Sequence, residues 1–161
     1  MVHIRRTDED ACPGSRQGRV RNGGIGERFG YPGGKQFISV CGLPLMSWSI
    51  LAFDHAPSVA HLVIACSDEK RAAVQESVVG KLVLHKPVHF ATSGATRQES
   101  VYNALQVVPA GYDFVSVHDA VRPLIEVETI EQVIGTVRKS PKIAGAILAH
   151  RATDTLKRVD G

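Results

Sequence analysis

His61–Cys66 reads His-Leu-Val-Ile-Ala-Cys, an unbroken and largely apolar run. A run this short, with no polar alternation, suits a strand buried on both faces, as in a parallel sheet with helices packed on either side. The chain on either side of it keeps to that scheme. Leu43–Phe53 reads as a helix with Leu45, Trp48, Leu51 and Ala52 on one face, ended by His55-Ala56-Pro57 because a residue before proline resists the helical region. Phe37–Cys41 precedes it as a short extended piece. Ser67-Asp68 can cap a helix running to about Val79, and Leu82–Ala91 is a second β-rich stretch broken by Pro87. Ser93-Gly94-Ala95 is a tight connection. Thr96-Arg97-Gln98-Glu99 then has the form of a capping box, opening a helix to about Val107 with Val101, Leu105 and Val108 inward. Phe114–His118 is a strand, Val127–Arg138 a helix and Ile143–Ala149 a further buried strand. Such alternation predicts an α/β fold, a mostly parallel sheet with helices on both faces. Sheets of this kind bind ligands beyond the carboxyl ends of their strands. Three stretches are expected at that edge: Ser93–Arg97, Asp119–Pro123 and Ala152–Arg158.

The 161 residues suffice for one domain with a sizeable core, and 43% hydrophobic with 22% charged residues is ordinary for a globular chain. A net charge of +3 is too slight to argue for nucleic acid. Cys12, Cys41 and Cys66 lack metal-ligand spacing and are odd in number, which points to reduced thiols. No apolar run approaches the roughly 20 residues of a membrane helix. The arginine-bearing N-terminus has no apolar core of a secretory signal, so a cytoplasmic protein without membrane contact is expected. Residues 1–22 are polar and patternless and read as irregular or disordered. The folded domain is expected over residues 23–161.

Gly23–Phe37 carries six glycines in fifteen residues, together with Glu27, Arg28 and Lys35. So much glycine costs backbone entropy on ordering and gives in return freedom in φ and close approach to the backbone. Exposed N–H groups with two cations suit a polyphosphate. The same composition also describes a surface loop that binds nothing, and no Gly-Lys-Ser/Thr ending marks a Walker loop.

Asp119, at a strand end, is the candidate metal ligand, since Mg²⁺ usually takes only one or two protein carboxylates beside phosphate oxygens. The alternative is an aspartate capping the next turn. Arg122 has the guanidinium fork for a phosphate, or for a surface ion pair. Arg97 reads more readily as a structural residue at a helix start. His118 is expected to face away from Asp119. Neither a Gly-x-Ser-x-Gly elbow nor a Cys/His pair supports a covalent mechanism.

Four motifs occur in order: Gly-Gly-Ile-Gly-Glu-Arg-Phe-Gly with Gly-Lys-Gln-Phe37, Gly94-Ala-Thr-Arg-Gln-Glu-Ser100-Val, Val117-His-Asp-Ala-Val-Arg-Pro123, and Thr153-Asp-Thr-Leu-Lys-Arg-Val159. Together, from about Asn22 to Gly161, they resemble the 2-C-methyl-D-erythritol 4-phosphate cytidylyltransferase family of the non-mevalonate isoprenoid pathway. Ribitol-5-phosphate cytidylyltransferase shares the first three, and the fourth leans toward the erythritol enzyme. The resemblance implies a three-layer, Rossmann-like nucleotidyltransferase fold and transfer of a cytidylyl group from CTP to a polyol phosphate, with Mg²⁺. It also implies site residues. Gly23, Gly24 and Gly26 would wrap the CTP phosphates, and Arg28 and Lys35 would be catalytic at the α-phosphorus. Gly94 and Ser100 would contact cytosine, with Ala120 beside the nucleotide. Asp119 would hold the metal and Arg122 would lie near the acceptor phosphate. Arg158 would sit in an arm exchanged within a homodimer. Two departures are visible. Family members carry a buried strand directly before the glycine loop, where this chain reads Gln17-Gly-Arg-Val-Arg-Asn22, so a central strand is expected to be missing or replaced. The chain also stops inside the arm, before a further substrate threonine and a second catalytic lysine. An incomplete, at most nucleotide-binding fragment is therefore the alternative expectation.

Overall fold

The computed structural model describes the backbone of Val2–Arg5 and residues 34–151 in full. A 3-10 turn at Lys35–Phe37 leads into a small hairpin of β2 (Ser39–Val40) and β3 (Leu43–Pro44). Its two turn residues both have positive φ, Cys41 at 50° and Gly42 at 84°, the requirement of a two-residue hairpin turn. Helix α1 (Leu45–His55), strand β4 (His61–Cys66), helix α2 (Asp68–Ser77), strand β5 (Val88–Thr92), helix α3 (Arg97–Val107), strand β6 (Phe114–Val117) and helix α4 (Val127–Arg138) follow. These bounds follow the expected elements, except that of the expected β-rich stretch Leu82–Ala91 only the part from Val88 is strand, and in three further respects.

The first concerns the N-terminal segment. Val2–Arg5, which the sequence left in an irregular stretch, form strand β1. The main sheet runs β5-β4-β1-β6, with β1 antiparallel to both neighbours. β4 pairs parallel with β5, from Leu62 opposite Val88 to Cys66 opposite Thr92. β4, β5 and β6 therefore point the same way, and the slot between β4 and β6 is filled by a strand of opposite polarity. The physical reason is the ladder. Unpaired N–H and C=O groups along the buried β4 and the half-exposed β6 are costly, and any extended segment that reaches them is favoured. The alternation of Val2 and Ile4 with His3 and Arg5 was the available signal.

Secondly, Ile143–Ala149 is not a strand. It is irregular, with Ile147 89% exposed and Leu148 58% exposed. A strand needs a partner ladder, none of the described residues supplies one here, and Gly145 weakens the extended form. Thirdly, the inward faces of α1 and α3 differ from those expected. In α1, Met46, Ser47, Ser49, Ile50, Phe53 and Asp54 are buried, whereas Trp48, Leu51 and Ala52 are half-buried. The helix is apolar nearly all round, so periodicity had little contrast to work with. In α3, Ala104 is the buried residue and Leu105 lies exposed, because only a small side chain fits against β4 and β5.

The core shows why β4 is central. Leu62 and Ile64 pack on one side with Met46, Ile50 and Phe53 of α1, Val74 of α2 and Ile130 of α4. Val63 packs on the other side with Ala91 and Ala104 of α3. Helices thus cover both faces, the three-layer arrangement the alternation predicts. At about 1.5–3 kcal/mol for each large aliphatic side chain buried, this strand is a major source of stability.

A polar network fixes α1 to the segment before β5. The Asp54 carboxylate, fully buried, accepts from the backbone N–H of His85 (3.0 Å) and Lys86 (3.0 Å), and Oδ2 contacts His85 Nδ1 at 2.8 Å. Burial alone would raise the Asp54 pKa, but the hydrogen bonds to His85 and Lys86 prevail and hold it below the usual value. Lys86 Nζ donates to the carbonyls of Phe53, Asp54 and Ala56, capping the C-terminus of α1. Glu131 of α4 holds the next loop, accepting from Ser58 N at 2.8 Å and Ser58 Oγ at 2.5 Å.

Two stability predictions follow from these contacts. Asp54→Ala strands two buried backbone donors and is expected to cost about 3 kcal/mol in denaturant unfolding, whereas His85→Ala keeps its backbone N–H and costs under about 1 kcal/mol. His61 and His89 face each other across β4 and β5 with ring nitrogens 3.2 Å apart. Burial, with the neighbouring His89, depresses the His61 pKa below 6.5. The unfolded chain therefore takes up protons more readily, so this contribution to stability is intact above pH 6.5 and declines as pH falls below it. Unfolding curves across that range should show the loss, and His61→Gln should reduce it, leaving the part due to the likewise depressed His118.

Candidate functional site

Two of the three stretches expected at the carboxyl edge of the sheet meet there. β5 ends at Thr92, and the loop through Gly94 leads into α3. Thr96 caps that helix, its hydroxyl accepting from Glu99 N at 3.1 Å. Glu99 reaches back to Ala95 N at 2.9 Å, one residue beyond the cap of a standard box. Ser100 Oγ closes the loop, accepting from Gly94 N at 2.9 Å and donating to Thr96 O at 2.9 Å. Gly94 is compulsory for this arrangement. A Cβ there would lie 2.2 Å from Glu99 Cγ.

β6 ends at Val117, and Asp119 opens the turn beyond it, with Arg122 N donating to Asp119 O at 3.0 Å. The Asp119 carboxylate is held by two guanidinium groups. Arg97 Nη2 lies 3.0 Å from Oδ1, and Arg122 Nε lies 3.1 Å from Oδ2. Arg97 is the first residue of α3, so this pair joins the Gly94–Ser100 loop to the Asp119 turn. Ser49, buried in α1, shares its one hydroxyl proton between the carbonyls of Ala120 and Arg122, each at 3.1 Å, and pins the turn to α1. His118 contacts Arg122 O at 3.0 Å and lies against the Phe53 ring at 5.2 Å. Burial pushes its pKa down; it stands one residue past the end of β6 and lines the same cavity as Asp119.

Electrostatically the centre carries one carboxylate and two arginines, a local excess of one positive charge. The arginine side chains are 59% and 75% exposed. They can swing to an arriving anion without unburying anything. The centre forms part of the wall of a cavity of about 440 Å³ that also takes in residues of β6 and α4 and residues 144–148. Its wall combines polar groups, Arg97, Asp119 and Arg122 among them, with apolar side chains such as Val115, Val117, Ile134 and Val137.

Lys35 lies exposed on the 3-10 turn that packs against α1, the helix that also carries Ser49. Trp48 Nε1 donates to Val40 O at 3.1 Å and fixes the hairpin between them. Gly23, Gly24, Gly26, Arg28 and Arg158 lie outside the described residues. The sequence did not single out Ser49, a polar residue on an apolar face, and favoured a structural role for Arg97 over a phosphate contact.

A mixed sheet whose strands β4, β5 and β6 point the same way, covered by helices on both faces and with polar residues gathered beyond the strand ends, defines the class: a layered α/β fold. Comparison with known proteins narrows it. Residues 20–161 match the family described as "IspD: 2-C-methyl-D-erythritol 4-phosphate cytidylyltransferase", and the chain belongs to that family. A cytidylyltransferase of that name from Bacillus mycoides is 33% identical over 85% of this chain and 58% of its own length. One from Chlamydia trachomatis is 35% identical, over 84% and 55% respectively. One from Xanthomonas campestris is 37% identical, over 84% and 50%. The chain thus spans between half and three fifths of these relatives. The crystal structure of 4-diphosphocytidyl-2C-methyl-D-erythritol synthase from Anaerococcus prevotii superposes with a TM-score of 0.55 over 63% of this chain and 44% of that one, at 17% identity, which supports the shared fold.

The Gly94–Glu99 contact gives a test. Gly94→Ala should displace the Glu99 side chain and cost about 1–2 kcal/mol, the scale of a lost cap. A Cβ at position 94 would also lie 2.5 Å from Glu99 Cβ, so only Glu99→Gly removes every clashing atom; in that background the same glycine change should cost far less, a coupling that a double-mutant cycle by thermal unfolding reads directly.

Proposed function

We propose that this chain carries the CTP-binding part of an enzyme that transfers a cytidylyl group from CTP to 2-C-methyl-D-erythritol 4-phosphate, releasing pyrophosphate. The observation that supports it most is the joining of the Gly94–Ser100 loop to Asp119 through Arg97, in a chain of this family. The acceptor phosphate attacks the α-phosphorus in line. A new P–O bond forms as the bond to pyrophosphate breaks, and no protein nucleophile is required. The rate comes from positioning and from charge stabilisation.

Arg28 and Lys35 neutralise the triphosphate, and the backbone of Gly23, Gly24 and Gly26 wraps it. Ser100 gives its proton to Thr96 O and accepts from Gly94 N, which leaves one lone pair on Oγ. That lone pair suits the amino group of cytosine, whereas uracil presents a carbonyl there and has no proton to give. Ala120 lines the nucleotide and Arg122 takes the acceptor phosphate. Asp119 fits Mg²⁺: each of its oxygens is engaged by one arginine and retains free lone-pair capacity, and the carboxylate is 31% exposed. When bound, the metal would neutralise charge between the phosphates, and phosphate oxygens would draw the two arginines away from the carboxylate. A homodimer with Arg158 reaching the partner's site, and a cytoplasmic location, belong to the same proposal. Among the described residues, no helix is long and apolar enough to cross a membrane.

Pyrophosphate release with CTP and Mg²⁺, measured against methylerythritol phosphate and ribitol 5-phosphate in a chain as long as its relatives, tests the assignment. Turnover with the ribitol compound alone would overturn the acceptor. Lys35→Ala or Arg28→Ala is expected to lose at least about 100-fold in turnover, the scale of one transition-state donor. Near-native rates would remove them from the catalytic set.

A further inference from the structure

Asp54, His55 and His85 form a cluster that the nucleotide site does not use. Their ligand atoms all lie within 4.8 Å of one another. The three residues differ in burial in a useful way. Asp54 is buried and its Oδ1 is held by the backbone N–H groups of His85 and Lys86. The two imidazoles are exposed and face each other with ring centroids 5.9 Å apart. A fixed carboxylate beneath two solvent-facing rings offers a prepared donor, an entry path and freedom for the rings to adjust. We infer that Asp54, His55 and His85 form a binding site for a late first-row divalent cation of the Ni²⁺, Cu²⁺ and Zn²⁺ group.

The donor set decides the class. Two imidazoles and one carboxylate suit these borderline metals, whereas Mg²⁺ and Ca²⁺ require mostly oxygen. The spacing fits as well. Asp54 Oδ2 and His85 Nδ1 are 2.8 Å apart, and bonds of about 2.0–2.1 Å to both would subtend about 85° at the metal, close to the cis angle of octahedral or tetragonal coordination. In such a site the cation replaces the proton these two atoms share. The backbone donors to Asp54 act as the outer support that orients a ligating carboxylate. Opposing binding is Lys86, whose ammonium is engaged by three carbonyls at the end of α1, close to Asp54. The cluster joins the end of α1 to the segment entering β5, whereas Asp119 follows the end of β6. It is a separate site from the nucleotide centre and would act as a clamp on the fold.

Titration calorimetry of the chain with Ni²⁺ alone, in the presence of excess Mg²⁺, tests this. One histidine-dependent site is expected, weakened at least about tenfold by either His55→Gln or His85→Gln. His150→Gln, which alters a histidine outside the cluster, should leave it unchanged. Both cluster rings are exposed, and the backbone N–H of position 85 remains with Asp54, so these variants should fold. Circular dichroism checks that they do. Ni²⁺ should also raise the melting temperature of the unaltered chain and not that of His85→Gln. Unchanged affinity in both cluster variants, or displacement of Ni²⁺ by Mg²⁺, would overturn the site.

Discussion

β4 and β6 lie two strand spacings apart, and something must fill the slot between them. Everything at the carboxyl edge depends on that. The Gly94 loop is positioned by β5, which is hydrogen-bonded to β4, and Asp119 is positioned by β6. Only the strand between β4 and β6 sets the distance at which Arg97 can span the two. Val2–Arg5 fill the slot with a ladder to each side, pairing with the first half of β4, from Val2 opposite Val63 to Ile4 opposite His61, and with the whole of β6, from Val2 opposite Val117 to Arg5 opposite Phe114. Backbone pairing is largely indifferent to direction, so a reversed strand holds its neighbours apart as a parallel one would.

Helix α1 ties the layers together. Its buried apolar residues meet β4, Ser49 pins the Asp119 turn, Trp48 holds the hairpin that follows Lys35, and Asp54 anchors the approach to β5. Three candidate functional groups therefore depend on one element of eleven residues. Displacing α1 would disturb the Lys35 turn, the Asp119 turn and the His85 loop together. Polar residues on its inner face serve this purpose and explain why the helix is not a simple apolar stripe.

Much of this was legible beforehand. The His61–Cys66 run, the Thr96 cap and the Val127–Arg138 helix were plain because each depends on local chemistry: continuous burial, a hydroxyl beside an orphan N–H, a strong period. The four ordered motifs led to the family. What escaped the sequence depended on distant partners. Val2–Arg5 is a strand because β4 and β6 are there to receive it. Ile143–Ala149 has strand composition and no ladder to join among the described residues. The inner face of α1 is set by Ser49 and Asp54 meeting carbonyls and amides roughly thirty to seventy residues away in sequence. Arg97 looked structural because its partner, Asp119, lies twenty-two residues on.

The direction of β1 has a practical side. Val2 stands opposite Val117, two residues before the metal-binding candidate, and Arg5 stands opposite Phe114 at the far edge. Anything joined ahead of Val2, such as a purification tag or a reporter domain, would emerge beside Asp119 and compete for the space a nucleotide needs. In a sheet whose first strand ran parallel, the same attachment would emerge at the opposite edge and leave the site clear.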